Sequence, residues 1–203
     1  MKKDKQQLSK ARKRQIVEAA LKCFVNKGYY ETTMDEIVKE SGLSKGTLYW
    51  YFESKELLLA AAVDYYLDKM TEQVEKLLKD IPDYKSAFNK IIDEMMDDFY
   101  TSKGYRSMFL EYFSHVIHKE EIRKKIAQKY REWMSIFKSY FEDGIKKGEL
   151  KDFNVDITVQ RITATIEGSF LMWFVSRDLI DPKKVLKSEI NSIINQIGNK
   201  EEA

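Results

Sequence analysis

Breakers are scarce in this chain of 203 residues, which has eight glycines and two prolines. That scarcity excludes a loop-rich or turn-dense architecture and leaves helix as the default along most of the length. The single cysteine, Cys23, excludes an internal disulfide and suits a reducing compartment, hence the cytoplasm. The only two histidines are His115 and His118. Neither His-Glu-x-x-His nor the Glu-x-x-His pairs of di-iron bundles occur, and there is no glycine-rich phosphate loop, so neither an enzyme nor a bound cofactor is expected. Long apolar runs are missing too. The longest, 57–63 and 170–175, fall far short of the roughly 20 residues of a membrane span. The N-terminus opens Met1-Lys2-Lys3-Asp4-Lys5, so neither a targeting segment nor a membrane partner is expected.

Hydrophobic residues make up 43% and charged residues 33%, as in an ordinary globular protein. The net charge of +2 is unevenly placed. Residues 1–55 hold 12 Lys and Arg against 7 Asp and Glu (+5), and residues 56–203 hold 23 against 26 (−3). A basic head on a slightly acidic body suits a head that meets a polyanion.

The helical pattern starts near Ser9, behind a basic arm. Ile16, Ala20 and Phe24 recur every fourth residue, and Gly28 ends the run. Lys10, Arg12, Lys13 and Arg14 crowd its first turns, which opposes the helix dipole; nearby phosphate would explain them better than local stability. Thr33-Met34-Asp35-Glu36 then reads as a capping box, Gly42 closes a short helix, and Ser44 can cap the next. Helix, glycine-containing turn and helix thus fit within 33–52, the length and punctuation of a helix-turn-helix. The stretch 43–55 carries the phosphate donors Ser44, Lys45, Thr47, Tyr49, Tyr51, Ser54 and Lys55. Gly46 leaves room for close approach, while Leu48 and Phe52, four apart, form an apolar back. A buried back and a hydrogen-bonding front are what a DNA-reading helix needs.

Beyond Ser54, nothing breaks the chain from Lys55 to Lys79, enough for a helix of ~37 Å at 1.5 Å per residue. Further helical stripes follow at 88–99, 105–118 and 122–145. The segment 156–177 is apolar nearly all round, and Asp181-Pro182 opens a last helix striped by Leu186, Ile190, Ile193, Ile194 and Ile197. Two C-terminal helices with surplus apolar surface fit either the closing of one core or a four-helix homodimer interface. The dimer is preferred, because one short recognition helix contacts little DNA.

These residues resemble the TetR family of bacterial repressors. The likeness is carried by 16–24 with Gly28-Tyr29, by Thr32-Thr33-Met34-Asp35-Glu36-Ile37, and by the run from Ser41-Gly42 through Gly46-Thr47-Leu48-Tyr49-Trp50-Tyr51-Phe52 to Ser54-Lys55-Glu56-Leu57-Leu58. It spans residues ~9–60 and is specific in order, spacing and residue type. The resemblance implies an all-α homodimer of about nine helices per protomer. Residues 1–54 would form a three-helix DNA-binding head, and 55–203 a helical ligand-binding and dimerisation body. It implies that Thr33 binds phosphate, that Ser44, Lys45, Gly46 and Thr47 enter the major groove of double-stranded operator DNA, and that Tyr49 and Tyr51 meet phosphates or base methyls. Lys55 would clamp the backbone. Trp50 occupies a variable position, and its large apolar ring with one donor suits packing on sugar or a thymine methyl.

The body is rich in aromatic residues and methionine. Met96, Phe99, Phe109, Tyr112, Phe113, Trp133, Phe137, Phe170 and Trp173 are either plain core or the walls of a pocket for a bulky, lipophilic effector. Glu167, amid an apolar helix, is expected to pair with an arginine, such as Arg161 or one across a dimer, or to meet a cationic ligand. A metal-responsive site at His115 and His118, with Glu111, Glu120 and Glu121 nearby, is the rival effector reading, and a helical-bundle metalloenzyme a remoter one.

Overall fold

Glycine and short polar caps cut the N-terminal part of the chain into helices. The structure, a computed structural model, describes residues 2–101, 106–108, 110–112, 114 and 120–198. Helix α1 spans Lys2–Lys27. It begins ahead of the expected start at Ser9, because 2–8 hold no breaker and are rich in the helix formers Lys and Gln. It stops at Gly28, whose φ of 90° only glycine adopts readily and whose N–H donates to the Phe24 carbonyl at 2.8 Å.

Helix α2 (Met34–Ser41) opens on the expected capping box. The Glu36 amide donates to Thr33 Oγ1 at 3.2 Å, and the Thr33 amide to Glu36 Oε2 at 2.8 Å. Gly42, at φ 67°, ends the helix and donates to Val38 and Lys39. Ser44 caps α3 (Lys45–Tyr51), and Ser54 accepts from the Leu57 amide at the start of α4 (Lys55–Asp80). The break around Pro82 leads into α5 (Tyr84–Thr101). The described residues among 106–114 are helical. Then come α6 (Glu120–Lys146), α7 (Val155–Val175, capped by Asn154) and α8 (Pro182–Ile197). In α8, Asp181 is the cap and Pro182 stands in the first turn, as expected. The fold is all-α; among the described residues a single antiparallel bridge pairs Leu150 with Gly198. None of the described helices is long and apolar enough to cross a membrane.

The chain divides into two compact units. One comprises Met1–Met70 with Asp98–Ile126, and the other Thr71–Asp97 with Ala127–Ala203. The first has its core at Ile16, Phe24, Ile37, Leu48, Leu58 and Val63, all fully buried. Leu48 and Phe52 form the apolar back of α3, as the four-residue spacing predicts. In the second unit, Phe88 of α5 stacks on Phe137 and Phe141 of α6, with ring centroids 5.4 and 5.5 Å apart. Asn89 donates to Asn191, and both Lys183 and Lys187 pair with Asp93, joining α8 to α5. Each buried side chain contributes about 1.5–3 kcal/mol. A solvent-exposed ion pair contributes about 0–1 kcal/mol. Packing therefore dominates in both units.

Helix α7, apolar nearly all round in sequence, is buried along one face in the single chain. Val159, Ile162 and Ser169 are buried, but a second arc is open in the single chain, with Leu171 65% and Val175 74% exposed and Ile157 and Met172 half or nearly half exposed. Gly168 lies on this arc with open space around it.

Candidate functional site

Two regions hold the residues singled out from the sequence. The first is the helix-turn-helix. In α3 only Leu48 is buried, so the helix is seated by its back while its front stays in solvent. Trp50 is 74% exposed, its ring edge-on to Tyr51 at 4.5 Å, and Tyr49 is exposed beside it. A Cβ placed on Gly46 would meet nothing within 4 Å, so the backbone here is open to close approach. Ser44 Oγ accepts from the Thr47 amide at 3.2 Å and lies 2.8 Å from the Thr47 hydroxyl. Both hydroxyls thus hold the helix start together while remaining at its surface. Thr33 does the same for α2.

Three other donors are engaged within the protein. Lys45 pairs with Asp35 at 2.7 Å on the surface, an exposed pair that phosphate can compete for. The Tyr51 hydroxyl donates to Ser9 at 3.1 Å and ties α3 to α1. Lys55 is turned inward: its ammonium stands 4.3 Å from the centre of the Tyr29 ring and donates to the Tyr30 carbonyl at 3.4 Å. Burial lowers its pKa below the usual lysine range, and burial likewise raises the Tyr29 phenol to about 12. Lys55 must swing off this ring to reach a phosphate.

Supports that the sequence reading did not single out lie around these residues. Buried Thr32 donates to the carbonyls of Gly28 and Cys23, fixing the turn between α1 and α2. Gln15 of α1 donates to the Ser41 carbonyl at 2.7 Å, satisfying the end of α2. Lys27 pairs with Glu36, which holds that carboxyl at about 2, helped by the Thr33 amide. A Thr-Thr pair after Gly-Tyr is the one sequence signal that could have flagged Thr32.

The second region is an apolar cavity of about 20 Å³ in the second unit. Helix α5 supplies Phe88, Ile91, Ile92 and Met95; α6 supplies Trp133 and Phe137; α7 supplies Ile162 and Ile166; α8 supplies Leu186 and Ile190. No charged side chain is on its wall. Of the expected pocket residues, Trp133 and Phe137 line it. Met96, Phe99 and Tyr112 are buried but stand elsewhere, the Tyr112 hydroxyl donating to Asp64 at 3.1 Å. Phe170 and Trp173 are half-buried and not on this wall. Phe109, Phe113, His115 and His118 lie outside the described residues. No group of three or more metal-ligating side chains occurs among the described residues.

Glu167 does not pair with Arg161, which turns to Glu189 at 2.9 Å. Arg161 sits on the exposed arc of α7, whereas Glu167 is half-buried. Burial holds the Glu167 carboxyl above the usual carboxylate range, opposed by a hydrogen bond from the Tyr130 hydroxyl.

Comparison with known proteins places these two regions. A family model described as bacterial regulatory proteins, tetR family, matches residues 16–62. A second, described as the C-terminal part of BetI-type transcriptional repressors, matches residues 85–189, about half of the chain. The fatty acid metabolism regulator protein of Bacillus subtilis (strain 168) is 25% identical over 188 residues, covering 92% of this chain and 95% of its own. Among solved structures, a TetR transcription regulator from Haloarcula marismortui ATCC 43049 superposes with a TM-score of 0.75 at 19% identity, over 94% of this chain and all of that one. The regulator FadR of Bacillus subtilis in complex with stearoyl-CoA superposes with a TM-score of 0.68 at 22% identity, over 89% and 97%. These two likenesses carry the fold alone. The two matching models describe transcriptional regulators, not enzymes. The chain belongs to the tetR family of bacterial regulatory proteins, DNA-binding transcriptional repressors.

Proposed function

We propose that the chain acts as a homodimer in the cytoplasm, reads an operator through α3 and the turn before it, and leaves that operator when a lipophilic small molecule enters its body. Residues 1–54 bind DNA; residues 55–203 bind the effector and dimerise. The observation that carries this reading is the exposure pattern of α3, where Gly46, Tyr49 and Trp50 face solvent around the single buried Leu48. Ser44, Lys45, Gly46 and Thr47 enter the major groove, Tyr49 and Tyr51 meet phosphates or base methyls, Trp50 packs on sugar or a thymine methyl, and Thr33 and Lys55 hold the phosphate backbone. The open apolar arc of α7, with Val185 of α8, supports pairing through the last two helices.

The apolar lining of the cavity supports a lipophilic effector contacting Trp133 and Phe137. That the relative FadR is seen with stearoyl-CoA supports the same class. A space of about 20 Å³ admits little more than one water. A bulky ligand therefore enters by parting side chains of four helices, and that rearrangement is its lever on the fold. Two heads of a dimer meet successive grooves ~34–36 Å apart, so a change in their spacing costs operator affinity. The coupling is reciprocal: operator DNA weakens effector binding by the same factor.

The test is a gel-shift competition on fragmented genomic DNA with the wild type, Tyr49→Ala and Lys55→Ala. Each variant is expected to lose about tenfold in affinity for the retained fragment. Equal binding by all three proteins would sink the DNA-contact assignment.

A further inference from the structure

We infer that Glu167 anchors a cationic head group, an ammonium on an apolar tail, at the edge of the cavity between α5, α6, α7 and α8. The inference rests on the effector reading above and adds the charge of the ligand to it.

Glu167 sits in the middle of α7, a helix whose only other charged residues are Asp156 and Arg161. A carboxylate half-withdrawn from water needs a compensating charge or several donors. Among the described residues no cation pairs with it, since Arg161 is committed to Glu189. Its one donor is the Tyr130 hydroxyl, which leaves most of its acceptor capacity unused. Its neighbours in sequence tie it to the cavity. Ile166, the preceding residue, lines the wall, and so does Trp133, one helical turn after Tyr130 on the same face of α6. The apolar wall therefore reaches to within one helical turn of Tyr130, the residue that holds this carboxylate. That arrangement suits an amphiphilic cation: the tail takes the cavity, the charge meets Glu167, and the rings of Tyr130 and Trp133 offer their negative faces. A bound cation also removes the reason for the raised carboxyl pKa. An anionic head would instead meet a like charge.

Calorimetric titration of the intact protein at pH 7.5 with decylammonium, 1-decanol and decanoate, each below its micelle-forming concentration, tests this on the wild type and Glu167→Gln. The glutamine carbonyl can still accept from Tyr130, so the variant keeps its fold, which an unchanged thermal melt verifies. Decylammonium is expected to bind the wild type about tenfold more tightly than decanol, and Glu167→Gln to bind the two alike. If decanol or decanoate binds as tightly as the cation, or if the preference survives in Glu167→Gln, the anchor is overturned and the lipophilic-effector reading stands. If none of the three chains binds, both fall.

Discussion

Helices α3 and α7 both leave large apolar or aromatic side chains in solvent, yet they are built from opposite materials. In α3 the polar groups are settled within a few residues: Ser44 caps Thr47, and the preceding α2 is closed by Thr33 and Glu36. Its exposed rings, Tyr49 and Trp50, stand among hydroxyls and lysines. In α7 the exposed arc carries Ile157, Leu171, Met172 and Val175, with Arg161 already paired to Glu189 and a small residue, Gly168, among them. The first surface is fit for a hydrated, hydrogen-bonding polyanion. The second is fit only for another apolar surface, because an open apolar stripe of this kind loses roughly 25 cal/mol for each Å² left in water. Similar exposure thus has different meaning, and what decides it is the chemistry between the exposed side chains.

The largest effect expected from breaking this comparison is at Leu171. In the proposed two-fold dimer every seam residue occurs twice, so Leu171→Asp removes two buried leucines at about 1.5–3 kcal/mol each and places a charge in the seam. The dimer dissociation constant is expected to rise by about a thousandfold or more. Sedimentation velocity across a concentration series reads this directly. An unchanged dimer would move the interface off α7.

The same contrast explains what was legible in the sequence. The head was readable because its signals are local. Thr33 to Glu36, Ser44 to Thr47 and Gly42 at positive φ are events within four residues, and the observed bonds follow the expected ones. The all-α fold, the breaks at Gly28, Pro82 and Gly148, and the Asp181-Pro182 start were legible for the same reason. The body was not readable in that way. Met96, Phe99 and Trp133 have equivalent credentials in sequence, and only the packing of four helices puts Trp133 on the cavity wall and the other two off it. Glu167 illustrates the limit: composition offers Arg161, the one arginine of α7, as a partner, but six residues apart the two point to different sides of the helix, and Arg161 meets Glu189 28 positions away. The inward turn of Lys55 onto Tyr29 was hidden too, because it depends on where the turn after α1 lies rather than on Lys55 itself.

The local character of the head gives it a pH dependence that sharpens the comparison. The Lys27 pair and the Thr33 amide hold the Glu36 carboxyl at about 2, down from 4.5. A depressed folded-state pKa means that the carboxylate contributes stability in full above its unfolded value, and that the contribution is lost as pH falls toward the folded value. The window therefore runs from about 4.5 down to about 2. Glu36→Gln, which cannot ionise, is expected to melt below the wild type at pH 6, with the gap closing as the pH is lowered through this window. Paired thermal melts at four or five pH values check it. A gap that stays constant with pH would mean that the charge on Glu36 does nothing for the capping box.

The smallest expected effect lies in the body, at one polar group that the packing leaves without a partner among the described residues. The Tyr140 hydroxyl is buried without a hydrogen-bond partner among the described residues, while the neighbouring Tyr84 hydroxyl donates to Glu149 at 2.8 Å. The Tyr140 ring packs tilted against Tyr84, 4.9 Å between centroids, and against Phe88 and Phe141, so the ring rather than the oxygen holds the position. Removing an unsatisfied buried hydroxyl while keeping the ring relieves a desolvation cost of about 1–3 kcal/mol, partly offset by the small void it leaves. Tyr140→Phe is therefore expected to be neutral or to raise the melting temperature by about 2–4 °C for each kcal/mol gained. A clear fall would show that the oxygen has a partner worth keeping, such as a buried water. In that case the body, like the head, settles its polar groups one by one, and the contrast between the two regions narrows to their exposed faces.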